Sequence, residues 1–450
     1  MTTREPSAAS LLSEGLSRIA DGAGVVLLVA LGWRMFFVFD AALETRALLV
    51  GLVGVVACWA NRSALKNAPL AMLTYVGVAL LSAAVNCWAT VSSAPEPAWI
   101  SLFTPALHLV VMVVFIYGAA HLLRTPSRLS WFVVLLVAAI GVLAAQIAFD
   151  RASVDFVYVR GGFSLPSVPH WSGIHGTSLF LTIGFSLASA IMLTGPSVSR
   201  VLAGGLLAGG LLVVEYLNGS RGGLVSMVFV LAAMGVFAVV RRTGGTRRPL
   251  ILGGGVVVFF IGLALAIWSM RAYVEERGNL SGRTLIWEET ARLALDHPWL
   301  GVGPGNYAQA IADSRRAEES LTIYGVGQPI RVGLIQGSAE ESVTVYGVGQ
   351  NAHNMVLHVA AEVGVIGALA FVGFMFWAVK SCWRTWAFGH LPLVSLGFLF
   401  VLAGFLIHSL SEHYLDARAE VERTRLLVWM VMAAALALER LPRRFPAEQA

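Results

Sequence analysis

Long apolar runs alternate with short polar breaks along the chain. An apolar run of about 20 residues, wound as a helix, spans the hydrocarbon core of a bilayer. Twelve such runs are read, near 23–42, 46–61, 69–91, 100–121, 130–149, 175–194, 199–217, 222–240, 249–269, 354–379, 391–410 and 424–440. The pattern predicts an all-α polytopic membrane protein of about twelve transmembrane helices. The segments 150–174 and 270–353 interrupt it at lengths far beyond a turn. The expected organisation is an N-terminal segment at 1–22, nine spans within 23–269, a loop domain at 270–353, three spans within 354–440 and a tail at 441–450. A loop as long as 270–353 inside a compact chain is generally functional or a small domain.

Within that loop, "AEESLTIYGVGQ" at 317–328 recurs as "AEESVTVYGVGQ" at 339–350, with ten of twelve positions identical. The alternation of Ser, Thr and Tyr with Leu, Ile and Val predicts two short strands ending in glycine turns. The duplication is too short for a solenoid, and a decorated hairpin is the plain reading.

Composition sharpens the class. Hydrophobic residues make up 57% of the chain and charged residues 13%, where a soluble domain carries about 25% charged. Nearly all short-loop Lys and Arg fall in one set of alternate loops, "NRSALKN", "HLLRTPSRLS", "GPSVSR", "RRTGGTRR" and "KSCWRTW", with the tail "ERLPRRFP" on the same side. The opposite set, "DAALETR" and "SSAPEPAW", holds one arginine. The positive-inside rule then puts both termini in the cytoplasm and the 270–353 loop outside. The net charge of +5 reflects this topology and gives no sign of a nucleic-acid partner. Three cysteines supply neither a disulfide framework nor a CxxC metal pair. The first residues lack the order of a removable signal peptide.

The outer face is rich in arginine and free of lysine. Arg160, Arg221, Arg283, Arg292 and Arg331 all map there or to its rim. Guanidinium offers a planar fork suited to phosphate oxygens and stays charged. Arg221, in "LNGSRGG", lies at a turn too short to reach far into water. A charge there needs a partner or an aqueous cavity, and the following helix start adds free N–H groups. An anion site at the membrane surface fits; an arginine snorkelling to headgroups is the bland alternative. His353 opens the tenth apolar run and is a candidate general base. Taken alone it reads better as an interfacial histidine. His358, five residues on, makes no HExxH pair and is expected to tolerate Gln. Glu215 and Glu362 stand out as acids within the apolar runs. No chain of acids marks a proton relay.

Four features together resemble the O-antigen ligase and O-antigen polymerase superfamily of bacterial membrane glycosyltransferases. His353-Asn354, nine residues, Gly364, two residues and Gly367 are similar to its H-[NSQ]-x9-G-x-x-G signature, and Leu357 fits the ligase form. "GSRGG" at 219–223 resembles its Ser-Arg-Gly span start. "SGRTLIWEETARLALDHPWLGVGPGNY" at 281–307 resembles its R-x3-W…P-x2-G-x-G segment. The long loop between spans nine and ten matches the ligase layout.

The resemblance implies transfer of glycan from an undecaprenyl-diphosphate donor at the periplasmic face of the inner membrane. Arg221 and Arg283 would clamp the diphosphate. His353 would take the acceptor hydroxyl proton in one inverting displacement, and Asn354 would orient the sugar or the imidazole. Arg160, Arg292 and Arg331 are counted with Asn354 as substrate-binding residues. No cofactor or metal is called for, because arginines can neutralise the diphosphate. The expected acceptor is lipid A-core. A polymerase joining lipid-linked repeats, a protein O-oligosaccharyltransferase and a non-enzymatic flippase or exporter stay open. Arg160-x15-Gly176 and Arg331-x15-Gly347 match a spacing found in polymerase loops, but a chain with 46 glycines and 31 Lys and Arg gives about three such pairs by chance.

Overall fold

The computed structural model describes residues 19–32, 43–60, 70–91, 99–153, 173–195, 197–242, 283–314, 352–388, 391–410 and 422–441. Among these, the regular elements are helices, with no strand. In chain order they are α1 (Ile19–Gly32), α2 (Leu43–Ala60), α3 (Leu70–Val91), α4 (Trp99–Leu122), α5 (Pro126–Ser153), α6 (Gly173–Thr194), α7 (Val198–Asn218), α8 (Arg221–Arg242) and α9 (Arg283–Asp296). After these come α10 (307–314), α11 (Met355–Ala387), α12 (Pro392–Ser409) and α13 (Glu422–Glu439). Eight of the described helices are long and apolar enough to cross a membrane, so the chain is a multi-pass membrane protein. The expected span at 249–269, both copies of the duplicated segment, and Arg160 and Arg331 lie outside the described residues.

Two helices run longer than their apolar patterns suggest. α11 continues past the expected end near 379 to Ala387, carrying Lys380 and Arg384 in helix. α5 begins at Pro126, a residue suited to a first helical turn.

The helices sort by enclosure. From Thr424 to Leu438, α13 is buried at every position, and α6 is buried on nearly all sides. α5, α7 and α8 lie outside them and turn Trp131, Phe149, Leu206, Tyr216 and Val228 outward. A large apolar side chain facing out costs nothing against lipid tails, so these are the bilayer-facing surfaces. Without a hydrophobic force between helices in lipid, close packing relies on small residues. On α2 and α4 a Cβ at Gly118 would lie 2.2 Å from the Gly51 carbonyl oxygen.

The two ends of the bundle differ in chemistry. At one end, Asp21 of α1 accepts from Arg124 at 3.1 Å and Arg128 at 3.0 Å, and Arg440 lies over the Tyr117 ring at 5.2 Å. Thr385 of α11 donates to the Leu438 carbonyl of α13 at the same end. At the other end lie the starts of α8 and α11 and the end of α12. Val230 approaches Gly404 and Phe237 meets Phe400 at 6.2 Å, so α8 and α12 run antiparallel. Arg221, the first residue of α8, therefore shares an end with Leu410, just past α12.

Candidate active site

Two segments far apart in sequence form one backbone structure at this second end. α11 starts at Met355 and is broken at Gly364, whose φ of 74° and ψ of −179° belong to a region open essentially to glycine. The break removes the ladder partners of the Ala361 and Glu362 carbonyls and of the Val365 N–H. Segment 298–303 takes all three. Val302 N–H donates to Ala361 O at 2.9 Å, Gly303 N–H donates to Glu362 O at 2.9 Å, and Val365 N–H donates to Pro298 O at 2.8 Å. Backbone groups freed within a membrane protein need internal partners, and this docked segment supplies them.

Glycine is required on both sides of the contact. A Cβ on Gly364 would sit 2.1 Å from the Trp299 carbonyl oxygen, and one on Gly301 2.3 Å from the Glu362 carbonyl carbon. α3 closes the contact from behind. Ser82 donates to the carbonyls of Leu300 and Glu362, and the Asn86 amide reaches Gly301 O at 3.4 Å.

α9 carries this segment. It is amphipathic, with Ile286, Thr290 and Leu293 buried and Glu288, Arg292 and Asp296 exposed. Thr290 shares a 2.7 Å hydrogen bond with the Tyr307 hydroxyl, and the Tyr307 ring lies 4.7 Å from that of His358. Leu293, Val302, Tyr307, Ile311, Ala352 and Ala361 make a small core separate from that of the bundle. The i, i+4, i+7 spacing of Ile286, Thr290 and Leu293 was the available signal for this helix inside the expected loop.

His353 sits just ahead of α11, half-buried, with φ at 45°. A left-handed backbone on a non-glycine residue persists where its surroundings enforce it. Asn354 is the N-cap of α11: its Oδ1 accepts from Leu357 N–H at 3.0 Å, and its Nδ2 donates to Leu410 O at 3.2 Å. The amide thus caps one helix and ties it to the end of α12. His358, expected to tolerate Gln, is enclosed. It is buried, its Nδ1 accepts from Ala352 N–H at 3.4 Å, and its Nε2 lies 3.2 Å from Glu362 Oε1. The same oxygen accepts from Gly305 N–H at 2.8 Å. Glu362 also borders a cavity shared with Tyr75, His108, Trp429 and Arg425.

The arginines divide. Arg221 and Arg283 are the first residues of α8 and α9, where the helix dipole and open N–H groups favour an anion. Their side chains lie outside the described residues. Arg292 is on the exposed face of α9, paired with Glu288 at 2.8 Å, opposite the face that carries Thr290. Beneath the Arg221 turn, Glu215 is fully buried and takes hydrogen bonds from the Ser178 hydroxyl and the Asn218 amide. A Cβ on Gly223 would fall 1.8 Å from Ser178 Oγ and 1.9 Å from Glu215 Oε1, so the carboxyl is pressed against the first turn of α8.

The end of the bundle therefore combines a turn that opens on arginine, a second helix that opens on arginine, and a histidine in a left-handed turn ahead of the broken helix on which a segment docks. These elements fall within one continuous stretch of chain. No curated protein matches the chain. A family model described as O-Antigen ligase matches residues 206–372, from α7 through the Ser-Arg-Gly turn and the docked segment to both glycines of the His-Asn signature. Over that stretch the chain is similar to the O-antigen ligase family, which supports a place in the O-antigen ligase and polymerase superfamily.

Proposed function

We propose that the protein transfers a glycan from an undecaprenyl-diphosphate-linked donor to a hydroxyl of lipid A-core, at the periplasmic face of the inner membrane. The observation that carries this reading is the docking of 298–303 onto α11 at Gly364, which joins the arginine-led helix α9 to the His353 turn as one unit. In the reaction the acceptor oxygen attacks the anomeric carbon. The bond from that carbon to the diphosphate oxygen breaks with inversion, and the electron pair leaves on the diphosphate. His353 takes the hydroxyl proton. Arg221 and Arg283 hold the diphosphate and offset the charge that builds on it, the largest kind of catalytic contribution in such transfers. They take the place that Mg²⁺ has in other diphosphate chemistry. Asn354 contributes by fixing the α11 start rather than by touching sugar.

The test is a deletion strain whose lipid-linked glycans and surface lipopolysaccharide are both analysed. The reading expects full-length glycan to accumulate on the lipid carrier while lipid A-core stays unmodified. Single repeats attached to the core would identify a polymerase instead. Loss of glycan from a protein, with lipopolysaccharide intact, would identify a protein O-oligosaccharyltransferase. Carrier trapped on the cytoplasmic side would identify a flippase.

A further inference from the structure

His353 stands between two tethered residues. On one side Asn354 is held by Leu357 N–H and by the Leu410 carbonyl. On the other, the Ala352 N–H is held by His358 Nδ1. With Nδ1 accepting, the His358 proton sits on Nε2 and donates to Glu362 Oε1. That oxygen also takes the Gly305 N–H. A chain of three hydrogen bonds thus runs from Gly305, just past the docked segment, through a carboxylate and an imidazole, to the residue just before His353.

We propose that Glu362 and His358 are positioning residues that aim the His353 imidazole, an assignment that rests on His353 being the base of the proposed transfer. An acid and an imidazole are poor packing material at the edge of a membrane-embedded core. What they add is direction. The carboxylate selects the His358 tautomer, as carboxylates do for histidines held in metal sites, and the remaining nitrogen accepts from a single backbone N–H. Ala352 is fully buried and His358 nearly so, with Tyr307 against its ring. The pair therefore has little room to swing. The left-handed turn at His353 is the conformation that this bracing enforces. Because Glu362 is bonded to Gly305, the aim of His353 is set relative to the segment that follows the arginine-led helix α9.

The test uses the full-length purified protein with a synthetic undecaprenyl-diphosphate glycan donor. Glu362→Leu and His358→Phe are expected to lower turnover by about tenfold to a hundredfold, the scale of a misplacement near 1 Å, with the donor KM changed by less than about twofold. Glu362→Gln keeps both acceptor functions and is expected to stay within about threefold of wild type. In a His353→Ala background, Glu362→Leu is expected to add no further loss, because residues acting as a unit are not additive. Full additivity, a loss confined to KM, or a wild-type rate in Glu362→Leu overturns the assignment. A second arm needs no transfer. The rate at which diethyl pyrocarbonate modifies His353, read by peptide mass spectrometry, is expected to change in Glu362→Leu and to be restored in Glu362→Gln. An unchanged rate overturns the positioning role. Absence of transfer by the wild-type protein, with that rate altered, instead rejects the proposed reaction and leaves the bracing intact. Should Glu362→Leu fail to accumulate, His358→Phe carries the same test, since its ring fills the same space against Tyr307.

Discussion

Gly364 and Trp299 meet backbone to backbone: a Cβ on the glycine would stand 2.1 Å from the Trp299 carbonyl oxygen. Neither partner can yield cheaply, because the neighbouring Pro298 carbonyl is bonded to Val365 N–H. The glycine also holds a backbone conformation that an L side chain resists. Gly364→Ala should destabilise the protein by roughly 3 kcal/mol or more, through strain plus the hydrogen bonds lost when the segment lifts. Thermal unfolding of the detergent-solubilised protein measures it. A melting curve matching wild type would mean the segment is not docked.

The Arg221 turn makes a second, independent claim. Gly223→Ala places a methyl against Ser178 Oγ and the Glu215 carboxyl, and that carboxyl is fully buried and hydrogen-bonded to Ser178 and Asn218, which leaves it little room to withdraw. The variant should accumulate poorly or lose donor binding. Combining it with Ser178→Ala removes one of the two obstacles and should recover part of the loss. No recovery would place the obstruction elsewhere.

If Arg221 grips a diphosphate with its fork, Arg221→Lys should lose most transfer although the charge is kept. The readout is single-turnover transfer at saturating acceptor. Near wild-type transfer would identify Arg221 as a residue that reaches for lipid headgroups.

His353→Ala should lower turnover by about 10²–10⁴-fold, the usual contribution of a general base, and leave donor binding nearly unchanged. Binding of the donor to the variant, measured separately from turnover, checks the split. A variant that keeps the wild-type rate would leave His353 a structural turn residue.

The membrane helices were legible because an apolar run near 20 residues has few other folds open to it. Leu70–Val91 and Gly173–Thr194 fall within about two residues of the runs that predict them. α9 was not legible, because its apolar stripe is narrow and lies inside a stretch that is polar on average. The break in α11 was hidden for a different reason. The apolar pattern continues through Gly364, and the groups that make the break tolerable are backbone atoms of residues 298–303, which composition does not report. Within the candidate site, Arg221, Arg283 and His353 are readable as residue types at or just ahead of helix starts. The His358–Glu362 pair was also written in the sequence, at i and i+4 on one helix face. That spacing alone does not distinguish a bonded pair from two residues that merely share a helix face.

The contact at α11 joins main chain to main chain, and that sets which genetic changes this region will bear. Trp299 is 68% exposed, and the bonds from Val302 and Gly303 are made by N–H groups that any residue but proline possesses. The side chain at 299 is therefore comparatively free to drift, while Val302 is held in the small core. The number of residues between Pro298 and Gly303 is fixed too. One insertion or deletion there would put the Val302 and Gly303 donors out of step with the two carbonyls left open at 361 and 362, so this stretch should tolerate substitution at Trp299 and refuse frame-preserving changes of length.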